Sequence, residues 1–368
     1  MRITSVDIFS ASLPLKVPFR IAIGVTIESK SLFIRVHTDA GLYGMGEANV
    51  LPPVVGETPE TALASATFLA KLLIGADPLD VEGLVDKMRR AIPTQSTTRS
   101  AFDMALWDIV GKAANMPLYA VLGGRRRTIV TDNTVGLEAP EVMAERASDF
   151  VARGFTAIKV KLGTDLATDI ERVRLVRAAV GPSIAIRVDA NQGWSRVTAR
   201  QALASIAPFG PQYCEQPVAA WDIEGLADIR RTSPIPIMAD EALFDERDAI
   251  ALVRRQAADY FNIKLAKSGG ISIALRINDI AEADGIACMV GCMTECRLGL
   301  SAALHFASAR TNVAFADLDG GDMLKDDPVT GGFAYGPGGE MQPTDAPGLG
   351  VDLDAGFVAT LPVVTIDQ

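Results

Sequence analysis

The chain has 368 residues, 49 % of them hydrophobic and 22 % charged, with a formal net charge of −10. That length allows a barrel plus a second domain, while the acidic balance gives no basic footprint for nucleic acid. No apolar run approaches the ~18 residues of a membrane span and the start, Met1-Arg-Ile-Thr-Ser-Val-Asp7, lacks the apolar core of a secretion signal, so a cytoplasmic address without a membrane partner is expected.

Residues 1–125 read as an α+β capping domain. Residues 6–10 and 31–38 alternate like strands, and Asp39-Ala-Gly41 turns the second into a third at 42–47. Helical periodicity follows at 58–73, 81–91 and 98–114. Two apolar stretches, 18–25 and 50–56, read as loops, packed either into this domain or as a lid over a site that must exclude water.

From Arg125 a regular beat begins. Strand-like runs recur near 129–135, 157–161, 184–189, 212–215, 237–240, 260–264, 287–290 and 314–317, with amphipathic helical stretches between them. A strand of about 5 residues, a helix of about 11 and two short connections make one βα unit. Eight strands and seven intervening helices predict an α/β fold, a modified (β/α)7β TIM-type barrel over 126–319, with residues 320–368 wrapping back onto the capping domain.

Charge marks one end of each unit. Asp189, Glu215, Asp240 and Lys264 follow one another at intervals of 26, 25 and 24 residues, each at the end of an apolar run. Strand alternation turns Ala185, Arg187 and Asp189, and likewise Lys159 and Lys161, toward the barrel interior. Charges there are costly unless they stand at the mouth with partners or a metal. Three carboxylates from consecutive strands can share one hard cation, and oxygen ligands without histidine or thiolate suit Mg²⁺ better than Zn²⁺. Only His37 and His305 are present, which excludes a multi-histidine centre, and Cys214, Cys288, Cys292 and Cys296 form no CxxC pair and read as buried free thiols. Lys161 on the second strand and Lys264 on the sixth should face each other across the mouth, with the like charge of Lys159 and the cation lowering the pKa of Lys161. Asp317-Leu-Asp319 ends the eighth strand, expected far from the metal and free for a cationic group of the substrate, although such a pair before Gly320-Gly321 also serves as a turn cap.

These residues resemble the enolase superfamily and, within it, the muconate lactonizing enzyme subgroup. The likeness runs through Ser100 to Asp108, Pro117 to Gly124, Lys159-x-Lys161, Asp189-Ala-Asn-Gln, Glu215-Gln-Pro, Ala239-Asp-Glu241 and Asn262-Ile-Lys264. Asp189-Ala-Asn-Gln-Gly-Trp194, Gly291-Cys-Met-Thr-Glu295 and Asp317-x-Asp319 make it look like a dipeptide epimerase. The resemblance implies Mg²⁺ on Asp189, Glu215 and Asp240, and two-base proton transfer by Lys161 and Lys264, through an enolate, at the C-terminal residue of a dipeptide. It also implies Lys159 as a third catalytic residue, Asp317 and Asp319 on the substrate ammonium, and Thr134, Ile23, Gly24, Met293 and Glu295 around the substrate. Where related epimerases offer an arginine to an acidic second residue, this chain has Gly24, so small or apolar dipeptides are expected, with Arg20 and Arg297 as other sources of charge. A homo-oligomer is expected by the same analogy. The alternatives are an N-acylamino acid racemase or cycloisomerase of the same subgroup, a Schiff-base aldolase using Lys264, or a noncatalytic carboxylate-binding barrel.

Overall fold

A computed structural model, in which residues 1–367 are described, divides most strands between two sheets. The first is antiparallel, in the order Val363–Asp367, Ile3–Ile21, Gly24–Thr38, Tyr43–Asn49. Its first two long strands run well beyond the alternating segments seen in the sequence and meet at Ile21↔Gly24 across the two-residue turn Ala22-Ile23. The stretch 18–25 is therefore a hairpin tip and not a loop. The pairing register shifts between Pro14 and Phe19, where Pro14 and Pro18 lack the amide a ladder needs. Residues 50–56 likewise contain a short helix, Pro52–Val55. Helix Ser96–Ala114 lies directly on Tyr43–Asn49, and a Cβ on Gly44 or Gly46 would fall 1.9 Å from the Ala105 or Ala101 carbonyl oxygen.

The second sheet is a parallel (β/α)7β barrel. Its strands in chain order are Asn133–Val135, Ala157–Lys161, Ala185–Asp189, Pro211–Glu215, Ile237–Ala239, Tyr260–Ile263, Ala287–Gly291 and Val313–Asp317, here called one to eight. Seven helices of ten residues or more, from Pro140–Ala152 to Arg297–Ala309, occupy the connections and bury their apolar faces against the strands, with the short helix Leu265–Ser268 ahead of the sixth. The expected first strand at 129–135 is split. Ile129–Val130 pairs with Glu340–Met341 outside the barrel, and only Asn133–Val135 joins it. Adjacent strands from one to eight are joined by backbone ladders, whereas strands eight and one have none. Tyr213, Met238 and Met289, with Tyr260 and Phe315 against them, fill the interior below the mouth. Among the described residues no helix is long and apolar enough to cross a membrane.

The N-terminal domain is fastened to the barrel by buried carboxylates, one on the first sheet and one on helix Ser96–Ala114, that cap barrel helices. Glu47 accepts from the amides of Cys296 and Gly299 at the start of Arg297–Ala309, and Asn49 bonds Thr294 through both its amide and hydroxyl. Asp103 accepts from the amides of Ile271 and Ser272 at the start of Ile271–Ala283. The tip of the first hairpin is thereby held over the open end of the barrel.

Candidate active site at the barrel mouth

Backbone pairing places the three carboxylates. Lys161 is in register with Asp189 and Asp189 with Glu215, while Asp240 follows strand five directly. Ladder bonds continue past the strand ends, from Leu162 to the Asp189 carbonyl, Ala190 to that of Glu215 and Gln216 to that of Met238. Asp189, Glu215 and Asp240 are fully buried, and one carboxylate oxygen from each lies within 4.8 Å of the others. Glu215 Oε2 and both oxygens of Asp240 accept no hydrogen bond, although Lys159, Lys264 and Lys267 ammonium groups stand 2.7–2.9 Å away at unsuitable angles. Converging, unspent carboxylate lone pairs with no thiolate or imidazole among them fit a hard divalent cation such as Mg²⁺. Burial by itself would push all three carboxyls up. At Asp189 the charges of Lys161 and Lys159 reverse this, and at Asp240 those of Lys264 and Lys267 do. Glu215, where burial is joined by repulsion from Asp189, stays well above the usual carboxylate range.

Amines flank this triad. Lys161 Nζ donates to Asp189 Oδ2 at 2.6 Å, and Lys264, immediately after strand six, lies 2.9 Å from Asp240 Oδ2. Four strand steps separate the two. Lys159 is buried beneath them, at 2.7 Å from Asp317, 2.8 Å from Glu215 and 3.2 Å from Asp189. Burial disfavours the charge on Lys159 and Lys264, but neighbouring carboxylates, chiefly Asp317 for the first and Asp240 for the second, outweigh it and raise both above an ordinary lysine.

The eighth strand corrects one expectation. Asp317 is neither free nor remote from the triad, because Lys159 joins it to Glu215 and Asp189. Asp319 is the less committed of the pair. Its Oδ2 accepts from the Thr134 amide at 2.7 Å, and burial, then repulsion from Asp317, pushes it up to about 7. Thr134 Oγ1 reaches Asp317 at 3.4 Å. Met293 and Glu295 are buried in the loop after strand seven, where Glu295 folds back to accept from the Met293 amide at 2.5 Å.

Four residues brace this arrangement without having been singled out in the sequence. Gln216 Oε1 accepts from the amides of Asp240 and Ala242, tying strand four to the loop after strand five. Asn262 donates to Glu215 Oε1 at 2.8 Å, and Asn191 donates to Glu241 at 3.1 Å. Lys267 is wholly buried and donates to the carbonyls of Asp240, Leu243 and Asn262. Asn191, Gln192 and Gln216 have φ of 40°, 67° and 34°, strained values that cluster just past two of the carboxylates. Three of the bracing residues lie inside the quoted motifs, so the signal was present; Lys267 had only its spacing of three from Lys264.

The hairpin tip closes the mouth on the side of Lys161. Arg20 carbonyl accepts from the Leu137 amide, and the Phe19 ring centre is 6.0 Å from Lys161 Nζ. Ala22 rests on Gly163, which has φ of 100° and where a Cβ would be 2.8 Å from Ala22 Cβ. Ile21 and Gly24, with Val50, Leu51, Pro53 and Thr294, line a cavity of about 220 Å³. Glu28 and Lys30 also line it, paired with each other, and neither arginine adds charge to it. Arg297 is spent on Asp327 and the carbonyls of Val329, Gly331 and Phe333, and half-exposed Arg20 stands 3.9 Å from Glu138.

The pattern described as the mandelate racemase/muconate lactonizing enzyme N-terminal domain matches residues 3–123, and the enolase C-terminal domain-like pattern matches 142–357. The chain is 39 % identical to D-Ala-D/L-Ala epimerase of Cytophaga hutchinsonii over 368 residues, covering 100 % of both chains. It is 38 % identical to hydrophobic dipeptide epimerase of Enterococcus faecalis, over 95 % of this chain and 99 % of that one. In three dimensions it resembles the crystal structure of the Cytophaga hutchinsonii dipeptide epimerase complexed with Mg and D-Ala-L-Val, with a TM-score of 0.98, 38 % identity and full coverage of both chains.

Proposed function

The chain belongs to the mandelate racemase/muconate lactonizing enzyme family of the enolase superfamily, and from that premise we propose that it is a Mg²⁺-dependent dipeptide epimerase, inverting the α-carbon of the C-terminal residue. The observation that carries the reading is a triad of buried carboxylates flanked by Lys161 and Lys264 from strands four steps apart. Asp189, Glu215 and Asp240 would hold the metal, which when bound would grip the substrate carboxylate and offset the negative charge that grows as the α-proton leaves. A carbon acid beside a carboxylate is too weak to ionise without such help, and an enolase-type base beside Mg²⁺ is a known pattern of this kind.

The lysines then work as a pair. With Asp240 committed to a cation, Lys264 would lose the partner that most raises its pKa and could serve as a base; Lys161, bonded to Asp189, would likewise be released to face the substrate. The neutral amine on one face takes the α-proton, and the ammonium on the other face returns one, which inverts the centre. Lys159, with its charge absorbed by Asp317, Glu215 and Asp189, is a fixed cation and not a proton carrier. Asp319, a buried acid whose pKa is pushed up for want of a cation, is the better partner for the substrate ammonium, with Asp317 and Thr134 behind it. The C-terminal side chain then points at the hairpin. There Ile21, Ile23 and Gly24 offer apolar contact and space, and the lysine of the cavity lining, Lys30, is already paired with Glu28, which supports Ala-Ala over Ala-Glu. Cytoplasmic location and self-association belong to the same proposal, the latter checked by sedimentation.

A dipeptide library incubated with the protein and Mg²⁺ in D₂O, read by mass shift at the α-carbon, tests the reaction. Label entering the C-terminal residue of dipeptides supports it. Equal turnover of N-acetylated substrates would instead favour an N-acylamino acid racemase, and a larger kcat/KM for Ala-Glu than for Ala-Ala would overturn the hairpin argument.

A further inference from the structure

The barrel has one seam without a ladder, between strands eight and one, and the residues assigned to the substrate ammonium stand on it. What crosses the seam near the mouth is mostly side chain. The Leu318 amide donates to Thr131 Oγ1 at 2.7 Å and the Thr134 amide to Asp319 Oδ2 at 2.7 Å, while the backbone contributes a long bond from Asp132 to the Ala316 carbonyl at 3.3 Å. Below these, a cavity of about 300 Å³ opens between Thr131, Ala157, Arg187, Phe315 and Ala316.

Arg187 spans this gap from strand three. Its Nη1 donates both to Asp132 Oδ2 at 2.8 Å, on the strand-one side, and to the Ala316 carbonyl at 3.1 Å, on strand eight. Its own place is fixed by Gln212, which accepts from Nε at 3.2 Å, and by the Phe315 ring, whose centre lies 5.2 Å from the guanidinium carbon. Arg187 is 7 % exposed and makes no hydrogen bond or ion pair with the carboxylate triad. A buried guanidinium is costly unless its donors are used, and here two partners stand on either side of the unladdered seam.

We propose that Arg187 is a positioning residue for the ammonium end of the substrate: by clamping Asp132 to the Ala316 carbonyl it closes the seam and fixes the strand-eight end that carries Asp317 and Asp319. The proposal rests on the epimerase reading for its consequence in turnover, and on the fold alone for its consequence in the seam.

The test compares Arg187→Met with Arg187→Lys in the full chain. Loss of the clamp raises KM for Ala-Ala by about tenfold or more while kcat changes about threefold or less, and lysine restores most of the loss. Preference for the free over the N-acetylated dipeptide narrows in Arg187→Met, and Mg²⁺ affinity measured by calorimetry does not change. Without any substrate, amide exchange quickens at Thr134 and Leu318 but not at Leu162 or Ala190. Should Arg187→Met fail to fold, Asp132→Leu removes the acceptor on the other half of the clamp at similar size and is expected to give the same KM and exchange pattern. Unchanged amide exchange at Thr134 and Leu318 in a folded variant overturns the clamp. Faster exchange with unchanged KM overturns its link to the substrate, whereas a wild type inert toward every dipeptide overturns the epimerase reading and leaves the exchange result standing.

Discussion

The two sides of the barrel mouth are built differently. From strand two to strand five each functional carboxylate sits at the end of a backbone ladder, with Lys161, Asp189 and Glu215 paired in register and the amide bonds carried one residue further. A register slip of one residue would turn a whole strand inside out, so these positions cannot drift singly. At the seam of strands eight and one, Asp317 and Thr134 are laddered on one side only, to Gly291 and Lys159; across the seam they and Asp319, beyond the last ladder pair, are held by side-chain bonds and by Arg187. The lesson is a division of labour. The carboxylates proposed to hold the metal are placed between backbone ladders, whereas the groups proposed to hold the substrate ammonium border a seam closed by side chains, contacts that can change without rebuilding the sheet.

The largest effect should come from the laddered side. Asp189→Asn, Glu215→Gln or Asp240→Asn should each lower kcat/KM on the order of 10³-fold or more and weaken Mg²⁺ binding in calorimetry, with circular dichroism unchanged. Near-wild-type turnover in any of them would break the comparison at its strongest point. On the seam, Asp319→Asn should act mainly on binding, raising KM for Ala-Ala by roughly 10- to 100-fold with a smaller change in kcat. A fall confined to kcat would place Asp319 with the reacting groups instead.

The hairpin allows a finer test. Gly24 is not in the left-handed region, and a Cβ there would meet only Pro53 Cγ at 3.7 Å, so Gly24→Arg should be tolerated. It should shift the kcat/KM ratio toward Ala-Glu by about tenfold, the worth of one new charged hydrogen bond in a partly dry site. A ratio that does not move would detach the hairpin from specificity. The smallest effect concerns pH. Burial pushes Glu47 and Asp103 up to about 7 from ordinary values of 4.5 and 3.8, so the folded protein binds more protons than the unfolded chain between those values. Stability is then lost as pH rises toward and past about 7. Chelated protein should melt at a higher temperature at pH 6 than at pH 8, and Glu47→Gln should flatten that difference.

Legibility in the sequence followed the same division. The βα beat and the strand-end charges are periodic, and periodicity survives translation into structure, so the barrel, the triad and the two facing lysines could be read from Lys161, Asp189, Glu215, Asp240 and Lys264. The seam could not. Its bonds join residues such as Thr131 and Leu318, far apart in the chain and of no special type, and the pairing of Lys159 with Asp317 depends on a side chain crossing the barrel interior. The hairpin at 18–25 was hidden for another reason: Pro14 and Pro18 interrupt the alternation that would mark a continuous strand, and a register shift absorbs them. Lys267 looked like an ordinary helical lysine because its three carbonyl partners carry no sequence signature.

The central claim is that Lys161 and Lys264 serve opposite faces of one carbon, and single-residue labelling tests it directly. Lys161→Ala and Lys264→Ala, each given both diastereomers of Ala-Ala in D₂O with Mg²⁺, are followed by proton resonance at the C-terminal α-carbon. Two-sided transfer predicts that neither variant epimerises, that each exchanges the α-proton of one diastereomer only, and that the two variants choose different ones. Exchange of both diastereomers by the same single-lysine variant would contradict it.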